Sequence, residues 1–242
     1  MRLSRFIFSF VFGFALISKS VAQCDLEVIL KSESEAYHRT TQLFKKTNSG
    51  KSYDLHYHRL DLSIDPSVDS MSGSVTSRMR IKADDVNEIE FDLRANMIVD
   101  SVLVDGAISN FSRSGDILLI LLSQMLNRDN EIETVVYYRG EPTNNPYNSY
   151  VREKRRPRSP NPVLWTLSEP YGAHAWWPCK ESLTDKIDSI DLVIKVPSGN
   201  RVASNGVLID SSALNDSQLV YHWQHRYPIV TYLVAFSVSD YA

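Results

Sequence analysis

From Tyr53 onward the side chains change character at every second position, and each alternating run closes on turn-forming residues. That period belongs to strands, whose successive side chains point to opposite faces, and helix signals are sparse beside it. In the first run Leu55, Tyr57, Arg59, Asp61 and Ser63 alternate with His56, His58, Leu60, Leu62 and Ile64, and Asp65-Pro66 ends it. Further strands are predicted over 73–83, 89–93, 97–104, 116–122 and 131–138, with Asp105-Gly106 a strong tight-turn signal. After an interruption the pattern returns over 163–167, 190–196, 207–210, 219–225 and 231–238. Strands joined by short turns predict an all-β fold, with antiparallel sheets packed as a sandwich.

The interruption, residues 139–162, holds five prolines and a basic cluster of Arg152, Lys154, Arg155, Arg156 and Arg158. An anion-binding patch or a protease site is one reading; a solvated loop is the reading we favour. Upstream of the strands, residues 25–46 carry Leu26, Ile29, Leu30, Tyr37, Leu43 and Phe44 at roughly helical spacing. They predict a short amphipathic helix in a linker spanning 23–52, broken by Asn48-Ser49-Gly50.

Residues 1–22 predict a secretory signal peptide: Arg2 and Arg5, an apolar run over 6–17, then Ser20-Val21-Ala22 as a small-residue cleavage signal. The apolar run falls short of a membrane span, which needs about 20 residues. The expected location is therefore exported: periplasmic, cell-surface or extracellular, with no membrane span after cleavage. Cleavage removes Arg2, Arg5 and Lys19 and no acid, so the formal charge moves from −3 to −6. A mildly acidic chain is a poor ligand for nucleic acid, whose phosphates demand basic surface. Hydrophobic residues make up 43% and charged residues 23%, enough for one sizeable core without a metal or disulfide framework. Cys24 and Cys179 are the only cysteines. Export permits a bridge between them, but unpaired thiols are the preferred reading.

No complete active site is expected. A hydrolytic zinc site needs three protein ligands and an open position for water, and no His-Glu-x-x-His occurs. His56-Tyr57-His58 would share a strand face but lacks a third ligand, so paired strand histidines without a metal are preferred. No Gly-x-Ser-x-Gly elbow and no phosphate loop is present, and Cys179 after Pro178 reads as a packed thiol. The informative stretch is Leu164-Trp165-Thr166-Leu167-Ser168-Glu169-Pro170-Tyr171-Gly172-Ala173-His174-Ala175-Trp176-Trp177-Pro178-Cys179-Lys180-Glu181-Ser182. A strand runs into Glu169, which Pro170 biases toward extended backbone. A rigid carboxylate at a strand end suits a cation, though a surface or capping carboxylate explains the same residues.

This stretch resembles the M1 family of zinc aminopeptidases, in which a Thr-Gln-x-Glu-Pro run leads to an Ala-Arg-x-x-x-Pro-Cys run. Thr166, Glu169, Pro170, Ala173, Pro178 and Cys179 fall on matching positions. The similarity continues through Lys186, Ile190-Asp191-Leu192, Val196-Pro197 and Ala203-Ser204-Asn205-Gly206 to the run from Tyr227 to Phe236. Upstream, Tyr53-Asp54 and Gly73-Ser74-Val75 resemble the first hairpin, so the resemblance covers 53–242. It implies a saddle-shaped amino-terminal β domain preceding a thermolysin-like catalytic domain that holds zinc. It also implies that Glu169 binds the free α-amino group of a peptide substrate, a charge-assisted contact. Leu167 stands where the family has glutamine, and His174 where arginine is common; Trp176 and Trp177 could line the pocket, but core packing is preferred.

The expectation is thus the substrate-anchoring domain of an exported metallo-aminopeptidase. It would act with a catalytic domain in cis or in trans and be inactive without one. The rival is a stand-alone β-sandwich that binds a protein or glycan.

Overall fold

In the computed structural model, residues 50–143, 148–153 and 162–241 are described. The signal peptide, the helix over 25–46, Cys24 and the basic residues Lys154, Arg155, Arg156 and Arg158 lie outside them.

The described residues form fifteen strands: β1 Tyr53–Ile64, β2 Met71–Ile81, β3 Val86–Asp92, β4 Ile98–Val104, β5 Ala107–Ser109, β6 Phe111–Ser114, β7 Ile117–Leu126, β8 Glu131–Gly140, β9 Tyr150–Glu153, β10 Val163–Thr166, β11 Ser189–Pro197, β12 Arg201–Ser204, β13 Val207–Asn215, β14 Gln218–His225 and β15 Phe236–Ser239. The helical elements among the described residues are two short 3-10 turns, Ala173–Ala175 and Thr231–Leu233. No helix there is long and apolar enough to cross a membrane.

The strands form an eight-stranded sheet in the order β13-β14-β11-β1-β2-β8-β4-β5, a four-stranded sheet β12-β15-β10-β9 and a three-stranded sheet β3-β7-β6. One cluster of buried side chains draws on all three: Leu60, Leu62 and Met79 from the large sheet, Ile89, Phe91 and Ile120 from the smallest, Leu164, Phe236 and Val238 from the third. The all-β sandwich is as expected. The antiparallel rule has one exception: β1 pairs β11 in parallel, Arg59 opposite Asp191 and Leu60 opposite Leu192.

Three local expectations change. The alternation in β1 set Leu55 on the face opposite Leu60 and Leu62, yet Leu55 is buried as they are. A register shift against β2 between Leu55 and Tyr57 inserts an extra residue at His56 and reverses the phase of the strand. The shift also separates the two histidines. His58 is buried against Trp177, with ring centroids 5.0 Å apart, while His56 reaches Asp188 on a partly exposed face.

Part of the interruption is a strand, not a loop: β9 pairs with β10, and Arg152 on it meets Asp69 at 2.6 Å, so this guanidinium is committed within the fold. Finally, the strand expected from 231 begins only at Phe236. Side chains satisfy the preceding backbone: the Asn205 amide accepts Ala235 N–H at 2.7 Å and donates to the Leu233 carbonyl at 3.0 Å. A segment whose polar groups are met by side chains needs no ladder.

Candidate functional site

The strand β10 enters the core between β9 and β15, and its side chains keep alternating past its end: Thr166 buried, Leu167 exposed, Ser168 buried, Glu169 exposed. The buried pair anchors this end of the strand. Thr166 Oγ1 accepts Phe236 N–H at 3.0 Å, and Ser168 Oγ accepts the Trp176 indole N–H at 3.0 Å. The Ser168 carbonyl accepts Gly172 N–H at 2.8 Å, closing the chain into a turn with Glu169 and Pro170 at its outer corner. The Glu169–Pro170 peptide is cis.

The exposed pair makes the surface. Leu167 is 58% exposed, and Glu169 has no hydrogen bond or ion pair among the described residues. Ahead of β15, the 3-10 turn Thr231–Leu233 presents Leu233 at 51% exposure. The end of β10 therefore shows a carboxylate with no partner among the described residues and, two positions before it, an exposed leucine. Such a carboxylate can receive an ammonium in a charge-assisted contact.

The turn is braced behind. His174 N–H and Nδ1 both approach Glu181 Oε1, at 2.9 and 3.0 Å, and both residues are buried. Glu181 N–H in turn donates to Asp92 Oδ2 at 3.0 Å. Trp176 and Trp177 are fully buried, so they pack the core and do not line the surface. Lys180 lies over the Tyr53 ring at 4.6 Å, donates to the Tyr53 carbonyl at 2.8 Å and pairs with Asp185; burial lowers its pKa against the pull of that pairing.

The other candidates come apart. Cys179 is a free, buried thiol, and burial pushes its pKa well up, so a nucleophilic thiolate is disfavoured. His58 donates to or accepts from Ser77 Oγ at 2.8 Å, but both are buried away from any substrate. His222 lies 2.6 Å from Asp191 on the large sheet, while His225 packs against Tyr227. No group of three or more His, Cys, Asp or Glu suited to a metal occurs among the described residues. Sequence reasoning singled out Glu169 and gave no part to Asn205 and Glu181, whose contacts join distant segments. The Ser-Asn-Gly run was a signal for Asn205, noticed as a motif and not as a clamp.

A family model described as the peptidase M1 N-terminal domain matches residues 49–233. No curated protein matches the chain. Among solved structures, an M1 zinc metallopeptidase from Deinococcus radiodurans is similar with a TM-score of 0.69 and 18% identity, covering 79% of this chain and 43% of its own. Leukotriene A4 hydrolase from Saccharomyces cerevisiae is similar with a TM-score of 0.66 and 20% identity, covering 80% of this chain and 30% of its own. At these identities the likeness establishes the fold. The chain spans less than half the length of either solved structure.

Proposed function

Because the chain belongs to the peptidase M1 N-terminal domain family, we propose that it is the substrate-anchoring domain of an exported zinc aminopeptidase, with Glu169 receiving the free amino terminus of a peptide. The observation that carries this is the state of Glu169: exposed, without a partner among the described residues, on a turn whose neighbours are pinned. A carboxylate facing a protonated α-amine makes a charge-assisted hydrogen bond, about twice as strong as a neutral one. Holding the amine there would set the first peptide bond at one fixed distance from the anchor, which is how an exopeptidase differs from an endopeptidase.

The histidines and carboxylates described here do not assemble a zinc site, so no step at the metal is assigned to them. Zinc would come with the catalytic domain, joined in cis or in trans, and would supply Lewis-acid activation of water and carbonyl. What this chain contributes is binding: the ammonium on Glu169, with the exposed Leu167 two positions before it.

The purified chain is expected to bind no stoichiometric zinc and to leave leucine p-nitroanilide intact. Adding the catalytic domain should bring both zinc and turnover. In that assembled enzyme Glu169→Gln should cut kcat/KM by about thirtyfold, the loss of a roughly 2 kcal/mol charged contact. Tight zinc and turnover in the chain alone, or an unchanged Glu169→Gln enzyme, would overturn the reading.

A further inference from the structure

Glu169 stands on a turn and not in a strand, so the sheet's hydrogen bonds do not orient it. Its near end is fixed by Ser168, whose hydroxyl holds the Trp176 indole. The far end has no ladder either; it is held at His174, whose carbonyl accepts Arg94 N–H at 2.9 Å and whose own N–H meets the Glu181 side chain at 2.9 Å. We propose that Glu181 is a positioning residue for the amine anchor: through His174 it sets the turn that displays Glu169. The inference rests on the reading of Glu169 as that anchor.

Three features support it. Glu181 Oε1 takes two contacts from one residue, the His174 backbone N–H at 2.9 Å and Nδ1 at 3.0 Å, which fixes both the position and the rotation of His174. The carboxylate can only accept, so Nδ1 carries the proton in this pair. Glu181 is itself immobilised, since its N–H donates to Asp92 Oδ2 at 3.0 Å and Cys179 next to Lys180 exchanges backbone bonds with Asp92 at 2.7 and 3.0 Å. And both partners are buried, Glu181 at 5% exposure and His174 at 6%. Burying such a pair gains little stability over an apolar pair of the same volume, while it does specify one geometry.

The same short segment reaches the other side of the surface. The Lys180 carbonyl accepts the Thr231 hydroxyl at 2.9 Å, and Thr231 opens the 3-10 turn that presents Leu233. Residues 179–181 thus tie the turn bearing Glu169 and the turn bearing Leu233 to one support, the end of β3 at Asp92. Movement of that support would shift Glu169 and Leu233 together.

The test uses the peptidase assembled from this chain and its catalytic domain, with leucinamide and its des-amino analogue 4-methylpentanamide as competitors. Glu181→Ala is expected to weaken leucinamide about tenfold and leave the des-amino analogue unchanged, since misplacing the anchor by a fraction of an ångström affects only the amine contact. Glu181→Gln retains an acceptor oxygen and should recover most of the affinity. His174→Ala keeps the backbone contact and should fall between the two, which preserves a readout if Glu181→Ala folds poorly. Equal losses for both competitors in Glu181→Ala, or no loss for leucinamide in either Glu181→Ala or His174→Ala, would overturn the proposal. Glu169→Gln is measured alongside: if it too leaves leucinamide unaffected, the anchor reading itself has failed.

Discussion

Two carboxylates, Asp191 at the middle of the large sheet and Glu169 at the end of the four-stranded one, share a chemistry and have opposite circumstances. Asp191 is almost fully buried and receives the Tyr57 hydroxyl at 2.8 Å, His222 Nε2 at 2.6 Å, the Gln224 amide at 3.2 Å and the Arg226 guanidinium at 2.9 Å. Burial pushes its pKa up, but the bonds from His222, Tyr57, Arg226 and Gln224 outweigh that and bring it to about 2. Glu169 is exposed and receives nothing from the described residues. The difference teaches where to look for binding: a carboxylate whose donors are all supplied by the fold has no capacity left for a ligand. One with none, held still by its neighbours, has all of it.

The comparison can be broken most directly by removing each carboxylate. Asp191→Ala leaves four donors facing a gap that joins β1, β11, β14 and Arg226, and should destabilise the chain by about 3 kcal/mol. Glu169→Gln should change stability by less than about 0.5 kcal/mol, as surface substitutions usually do. Urea unfolding of both variants checks the pair, and similar losses would remove the distinction between them.

Acid sharpens the contrast on a second scale. Burial lowers the pKa of His58 to about 3, well below the roughly 6.5 of a free imidazole. The unfolded chain therefore takes up this proton first. Stability is fully present above about pH 6.5 and falls by up to about 1.4 kcal/mol per pH unit as the pH drops toward 3. Asp191 adds its own loss only below about pH 4, as the pH falls toward its folded value. Midpoints of urea unfolding between pH 7 and 4 should decline, and His58→Gln should flatten the decline; an equal slope in the variant would remove His58 as its source.

A smaller effect than the loss of Asp191 concerns the scaffold of Glu169. Ser168→Ala deprives the buried Trp176 indole of its acceptor and should cost about 1–2 kcal/mol. Hydrogen exchange at Gly172 N–H should quicken, because the turn it closes loses one support. Unchanged exchange there would mean that Ser168 does not hold the turn.

Much of the fold was legible. The alternation placed β1, β3, β4 and β8 within a few residues, because a half-buried strand must alternate whatever its partners are. The short strands β5, β6, β9 and β12 were not legible, since three or four residues carry too little period to register. Glu169 was legible as a carboxylate at a strand end before proline. Its brace was not: Glu181 meets His174, which sits within the 3-10 turn Ala173–Ala175, and it is steadied by Asp92, which is 89 positions away.

The order of apolar and polar residues determined by itself that this chain forms sheets, where most strands begin, and that one aromatic-rich segment carries an unusual carboxylate. The tertiary structure alone decided the phase of β1, where the extra residue at His56 turns Leu55 inward, and the parallel pairing of β1 with β11. It also decided which acids are spent and which are free. The physical reason is the same in each case. A side chain's periodicity is a local property, but the donors that satisfy a carboxylate arrive from strands that neighbour it in space and lie far from it along the chain.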